Sequence, residues 1–313
     1  MTTLIATSVV RGSQQGESHG GVYLVDLQRA RVHQPIDWDT MDIDWQGRGW
    51  DRGLRGIAFD GDSVFIAASD ELFEYDPQFN LRSSYRNAYL KHCHEICIYQ
   101  RRLFLTSTGY DSLLGFDLDK KVFTWGLQIS HERSGLRGNP FHPGRDKGPA
   151  PANRLHLNSV FANSKALYFS GLHSRGLYAY SGRYIDRLAT LPEGTHNARP
   201  HRAGIVYNDT QRNAVMFAEP EGPRRVFAVP EYSPEDLEHA EADDSKIARQ
   251  AFGRGLCTIS DSLLAAGSSP STITLHDLDS MKTTLSINLS MDVRNAIHGL
   301  EVWPFDTPAT QVG

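Results

Sequence analysis

Arg55-Gly56-Ile57-Ala58-Phe59, then the polar turn Asp60-Gly61-Asp62-Ser63, then Val64-Phe65-Ile66-Ala67-Ala68-Ser69: the reading of this stretch decides the fold. A polar residue opens a short apolar run, a tight turn reverses the chain, and a second run ends in small or hydroxyl residues. Two β-branched and aromatic runs joined by Gly and Asp read as a β-hairpin. The pattern recurs as His94-Glu95-Ile96-Cys97-Ile98 with Leu103-Phe104-Leu105-Thr106-Ser107, and as Leu157-Asn158-Ser159-Val160-Phe161 with Leu167-Tyr168-Phe169-Ser170-Gly171. It returns as Arg202-Ala203-Gly204-Ile205-Val206-Tyr207 with Ala214-Val215-Met216-Phe217, and as Arg254-Gly255-Leu256-Cys257 with Leu263-Leu264-Ala265-Ala266. A third run follows each pair, for example Leu72-Phe73-Glu74-Tyr75-Asp76 and Ile273-Thr274-Leu275-His276-Asp277. A more polar fourth run, such as Leu81-Arg82-Ser83-Ser84-Tyr85, suits an outer edge. Four strands at a period of roughly 40 to 50 residues are the signature of a propeller blade.

The two ends complete the count. The chain begins with a second-strand pattern, Leu4-Ile5-Ala6-Thr7-Ser8, and a third-strand pattern, Val22-Tyr23-Leu24-Val25-Asp26, with no first strand before them. It finishes with an orphan first strand, Ile297-His298-Gly299-Leu300-Glu301-Val302-Trp303. Pairing the last strand with the first ones makes a sixth blade. The expectation is an all-β, six-bladed β-propeller over residues 1–305, closed by its C-terminal strand, with a flexible tail over 306–313.

The 313 residues are 40% hydrophobic and 22% charged with a formal net charge of -5, so material for a large core is present and a basic footprint is not. Nucleic acid and anionic membrane are therefore not expected partners. Met1 to Val10 lacks the positive and apolar regions of a secretory signal, and no stretch approaches the roughly 18 apolar residues of a membrane helix. Cys93, Cys97 and Cys257 make no disulfide framework, and with reduced thiols the expected location is cytoplasmic.

Strand alternation places the fourth-to-first and second-to-third connections of every blade on one face. The longer links fall there: residues 37–54, 130–155 and 192–200. Most of the 13 histidines fall there too, among them His19, His92, His173 and His196. Loops and strand ends on a rigid scaffold are where binding residues gather. Four histidines, His94, His156, His201 and His298, stand at the expected mouths of first strands from four blades, with Glu95 and Asn158 adjacent. Imidazoles and a carboxylate converging on one axis suit Fe, Mn, Zn or Cu. The plain alternative is that each histidine bonds a backbone carbonyl. Arg55, Arg202 and Arg254 hold comparable positions and suit an anionic group, or else pair with neighbouring carboxylates. Tyr110, Asp111, Glu219 and Glu221 lie on loops of the same face as candidate acids or bases. The 131–153 stretch reads as a long loop or a lid. The acidic 231–245 segment starts like a capped helix at Ser233-Pro234-Glu235-Asp236 and receives no function.

The strings His94-Glu95-Ile96-Cys97, Arg154-Leu155-His156-Leu157-Asn158-Ser159, Arg199-Pro200-His201-Arg202 and Gly253-Arg254-Gly255-Leu256 resemble those of an uncharacterised bacterial propeller family. That family carries His-Asp-Ile-Ala, Cys-His-Leu-Asn-Gly, Met-Pro-His-Ser and Arg-Gly-Leu in the same order. Leu155 stands where the family has cysteine. The resemblance implies the fold and no activity. The architecture is also similar to gluconolactonase-type propellers, which hold one divalent metal through Glu, Asn and Asp; Glu95 and Asn158 are the matching positions.

Two functions follow as expectations. In the first, the protein is a metal-dependent enzyme acting on a small polar or anionic substrate. His94, His156, His201 and His298 are its ligands, Glu95 a ligand or base, Tyr110 and Asp111 further acid–base groups, and Arg55, Asn158, Arg202 and Arg254 the substrate contacts. Hydrolase, lyase or isomerase, and oxygenase chemistry remain open. In the second, it is a non-catalytic propeller that binds a small ligand or a protein partner.

Overall fold

The computed structural model describes residues 2–39, 53–133, 135–145, 147–220, 222–242 and 248–306. Glu221, the end of the acidic segment and the tail from 307 onward lie outside the described residues. In chain order the strands are β1 (Thr3–Val10), β2 (Gly21–Asp26) and β3 (Arg31–Asp37); β4 (Ile57–Asp60), β5 (Ser63–Ala68), β6 (Glu71–Tyr75) and β7 (Leu81–Arg86); and β8 (Ile96–Tyr99), β9 (Arg102–Ser107), β10 (Ser112–Asp117), β11 (Val122–Glu132) and β12 (Gly135–Phe141). They continue with β13 (Leu157–Ala162), β14 (Leu167–Gly171), β15 (Gly176–Tyr180) and β16 (Ile185–Thr190); β17 (Thr195–His201), β18 (Gly204–Asp209), β19 (Ala214–Ala218) and β20 (Arg225–Ala228); and β21 (Leu256–Thr258), β22 (Leu263–Ser268), β23 (Thr272–Asp277), β24 (Lys282–Asn288) and β25 (Asn295–Val302). Each group forms one antiparallel sheet in chain order, and β25 heads the first as β25-β1-β2-β3. The fold is a six-bladed β-propeller. The C-terminal strand pairs with β1 from Leu4↔Val302 to Val10↔Asn295, as the orphan pattern at the chain end requires.

By compactness the chain divides into residues 1–55 with 201–313, and residues 56–200. In the 56–200 unit the middle strands are buried on both faces, β5 along its whole length, while the outer β7 is exposed. Phe65, Leu72, Leu103, Leu105, Leu114 and Phe116 form one continuous core there. Complete burial of each such side chain contributes roughly 1.5–3 kcal/mol. The other unit has an equivalent core around Leu4, Val25, Ala265, Ile273 and Ile297.

Polar side chains of the second strands have a structural task. Thr7 of β1 donates its hydroxyl to the carbonyl of Arg55, Thr108 just beyond β9 donates to Leu157, and Asn208 of β18 donates its amide to Gly255. Each rung satisfies a buried backbone acceptor at the start of the next first strand.

Two expectations are corrected. In the fifth sheet the first strand is Thr195–His201, so the runs read as first, second and third strands are the second, third and fourth. The pattern Thr195-His196-Asn197-Ala198 is polar yet buried, because polar groups at the start of a first strand face other polar groups rather than water. The 131–153 stretch is not one loop either: β11 runs to Glu132, and β12 pairs with it as a fifth strand, Gly126↔Phe141 to Glu132↔Gly135. The acidic segment starts as a short 3₁₀ turn, Pro234–Asp236, and Glu238 is stitched by backbone bonds to Met291 and Val293.

Candidate functional site

In the 56–200 unit, the starts of β8, β13 and β17 bring His94 against His156, Glu95 against Asn197 and Asn158 against the Thr195 carbonyl, with His196 beside them in sequence. Thr106 of β9 fixes the first pair: its hydroxyl accepts from the backbone N–H of His94 at 3.0 Å and of Glu95 at 3.1 Å. The Glu95 carboxylate accepts a 2.6 Å hydrogen bond from the Asn197 side-chain amide. The buried His94 ring meets the His156 ring edge-on, centroids 5.3 Å apart.

His156 and Asn197 both have φ of 53°, in the left-handed region. Asn tolerates that conformation; a histidine there costs of order 1–2 kcal/mol and must be held by its surroundings. Asp111 holds it. Its carboxylate accepts backbone N–H bonds from Arg154, Leu155 and His156 at 2.6 to 3.2 Å. Asp111, expected as an acid–base group, is thus placed as the anchor of the His156 turn. Tyr110 packs edge-on against Tyr89 and bridges to Ala152 in the same loop structure.

Asn158 lies in the β13 bulge opposite Gly171 and Ser170. Its amide nitrogen donates to the Thr195 carbonyl at 2.9 Å, which orients the group. Its Oδ1, and the hydroxyl of Ser170, are buried without a hydrogen-bond partner among the described residues. Ser170 holds the position from which other second strands send a rung. Here Asn158 and Ser159 reach the neighbouring strand instead, at Thr195 and Ala198. The rung pattern lapses at this place, and among the described residues Asn158 Oδ1 and the Ser170 hydroxyl take no hydrogen bond.

The unit of residues 1–55 and 201–313 holds the other expected residues. Arg254 lies over the Phe252 ring at 4.6 Å and donates from Nη1 to His298 Nε2 at 3.2 Å. A guanidinium only donates, so that imidazole nitrogen is the acceptor. Arg55 is fully buried, and its carbonyl takes the Thr7 rung. His201 stands at the far end of β17, its Nε2 bonded to the Asp261 carbonyl at 2.8 Å, and Arg202 in the following turn pairs with Asp279 at 3.2 Å. Neither is at a strand start, as a consequence of the corrected register.

No protein-family model matches this chain, and no curated protein matches it in sequence. Solved structures match in fold. One, from a nidogen/laminin complex, has a TM-score of 0.58 at 12% identity and covers 96% of this chain and 98% of its own. A protein of unknown function from Bacteroides caccae has a TM-score of 0.59 at 8% identity over 97% and 99%. Apo AztD from Citrobacter koseri has a TM-score of 0.50 at 10% identity over 96% and 98%. At these identities the likeness is one of fold.

Among the described residues no group of three or more His, Cys, Asp and Glu side chains is placed to hold a metal ion. Of the four histidines expected as ligands, His94 meets the His156 ring, His201 is bonded to a main-chain carbonyl and His298 to an arginine. Asn197 is not legible from local pattern, because the polar run Thr195-His196-Asn197 has the composition of a loop. The available signal was spacing, since His196-Asn197 stands roughly one blade period after His156, as His94 stands after Arg55.

Proposed function

We propose that this chain binds a small molecule rich in hydroxyl or amine donors against Glu95, Asn158 and Ser170, beside the His94–His156 pair. The observation that carries the reading is that two polar atoms of the paired strands β13 and β14, Asn158 Oδ1 and the Ser170 hydroxyl, are buried with no hydrogen-bond partner among the described residues. Leaving such a group unsatisfied costs roughly 1–3 kcal/mol, which a ligand donor returns. The Glu95 carboxylate adds an anionic acceptor at the same strand ends. The left-handed His156, held by Asp111, is the kind of local strain that collects at binding sites.

A metal-dependent enzyme is the second reading, favoured by the 5.3 Å approach of the His94 and His156 rings. Two imidazoles fall short of the three protein ligands common at catalytic zinc. Binding is tested by calorimetry and thermal shift with myo-inositol, D-glucose and D-glucosamine, alongside metal quantitation of the purified protein. Saturable binding of one probe, weakened about 10-fold or more in Asn158→Ala, supports the site. A hundredfold excess over Kd adds about 2.7 kcal/mol of stability, which a melting curve resolves. Absence of saturable binding to all three probes overturns the proposal, and one bound equivalent of a transition metal lost in a His94→Ala, His156→Ala protein favours the second reading.

A further inference from the structure

His173 lies in the connection from β14 to β15, and Glu193 in the connection from β16 to β17. His173 Nδ1 and Glu193 Oε1 are 2.8 Å apart, and Arg175 donates to the other carboxylate oxygen, Oε2, also at 2.8 Å. A carboxylate beside Nδ1 makes that nitrogen the N–H donor in the neutral ring, so Nε2 becomes the acceptor. The His173 ring stands edge-on to the His156 ring at 6.2 Å, extending the His94–His156 pair into a row of three.

The backbone holds this row. Leu172 N donates to the His156 carbonyl and His173 N to the Leu155 carbonyl, both at 3.1 Å, while Gly194 N donates to Leu172 at 2.8 Å. Gly171 sits so close that a Cβ there would lie 2.4 Å from the Leu155 carbonyl oxygen. The turn carrying His173 is thus bound to the turn that Asp111 holds, and the loop carrying Glu193 is bound to it in turn. His173 and Glu193 are both open to solvent, and these backbone bonds fix their loops against the His156 turn, so the imidazole can meet a ligand in one orientation.

We propose that His173 is a further binding residue of the site described above, its Nε2 accepting a hydrogen bond from a ligand hydroxyl or amine, with Glu193 setting the ring's tautomer and Arg175 positioning Glu193. This inference rests on the small-molecule reading and names a contact within it. The acceptor character matches that reading: Asn158 Oδ1 and the Glu95 carboxylate are also acceptors, so the ligand class is one with several O–H or N–H groups, as in a polyol or amino sugar.

The test uses the full chain with ¹⁵N-labelled histidine. Long-range proton–nitrogen correlation spectra should show neutral His173 carrying its proton on Nδ1. Glu193→Gln should keep that tautomer, because its amide oxygen still accepts; Glu193→Ala should lose it. Calorimetry with myo-inositol, D-glucose and D-glucosamine then asks whether the nitrogen matters. His173→Ala and Glu193→Ala should each weaken the probe that binds by about 10-fold, with Glu193→Gln restoring most of the affinity. An Nε2–H tautomer in the unaltered protein overturns the inference. So does affinity unchanged within twofold in His173→Ala while a probe still binds, a result that leaves the site itself standing. Failure of every probe to bind the unaltered protein overturns the site reading first and this contact with it.

Discussion

Replacing Asp111 by alanine removes the acceptor of three backbone N–H groups at once, and the structure sets the size of the effect. Leu155 is almost fully buried, so its N–H cannot recruit water, whereas Arg154 is exposed and rehydrates. A hydrogen bond to a charged group contributes about 1.5–3 kcal/mol, and a buried donor left unpaired costs about 1–3 kcal/mol. Taking the full penalty at Leu155, half of it at His156 and little at Arg154 gives about 3–4 kcal/mol. Asp111 itself has φ of 44°, a conformation alanine resists by about 1 kcal/mol more. The expected total is about 4–5 kcal/mol for Asp111→Ala. Asp111→Asn should cost about half as much, since one oxygen still serves Leu155 and His156. Backbone hydrogen exchange is the assay of choice because it reads the turn directly. The amides of Leu155 and His156 should lose roughly a thousandfold in protection, and probe binding should weaken with them. If Asp111→Ala lies within 1 kcal/mol of the parent and both amides stay protected, Asp111 is not the anchor of the His156 turn.

Other consequences are open to measurement. His276 is buried between the Thr274 and Thr283 hydroxyls, 2.9 and 3.0 Å from its ring nitrogens, and burial holds its pKa down to about 4. The unfolded chain therefore takes up more protons between about pH 6.5 and pH 4. Stability is complete above that window and falls on acidification by on the order of 3 kcal/mol, a slope that urea unfolding should show absent in His276→Met. Glu74 is pushed upward by burial, but the Lys121 ammonium and the Ser63 and Tyr85 hydroxyls outweigh this and hold its carboxyl below its usual 4.5. Its contribution is present above pH ~4.5 and lost as pH falls through the lowered value, so Glu74→Gln should flatten the acid limb of the unfolding curve. At Gly299 a Cβ would lie 2.2 Å from the Arg55 carbonyl oxygen and 2.6 Å from the Thr7 hydroxyl. Gly299→Ala should lower stability by about 3 kcal/mol, and a melting curve unmoved by it would contradict the close approach of those backbones.

How much was legible in the chain varies by element. The hairpin at Ile57–Ala68 and the closure by β25 were readable because apolar alternation is a local property, and a missing first strand at one end matches an orphan at the other. β17 was not readable. Its buried half is Thr-His-Asn-Ala, and burial of polar residues depends on what stands opposite, such as Glu95 against Asn197. A single misplaced strand then carried His201 and Arg202 from the wrong end of a sheet into the expected site. β12 escaped for a related reason: Gly135-Leu136-Arg137-Gly138-Asn139-Pro140 has the composition of a loop and becomes a strand by completing the ladder of β11.

The separate histidines show the same division at the level of chemistry. Composition and spacing identified His94, His156 and His298 as residues at first strands, but not whose hydrogen bond each ring would take. His298 pairs with Arg254, whereas His94 meets His156. The amino-acid sequence by itself determined the repeat, the number of blades and the pairing of the two ends, because these follow from periodic hydrophobic burial along the chain. Tertiary structure alone decided which polar groups become one another's partners, because a hydrogen bond depends on ångström distances between residues far apart in sequence.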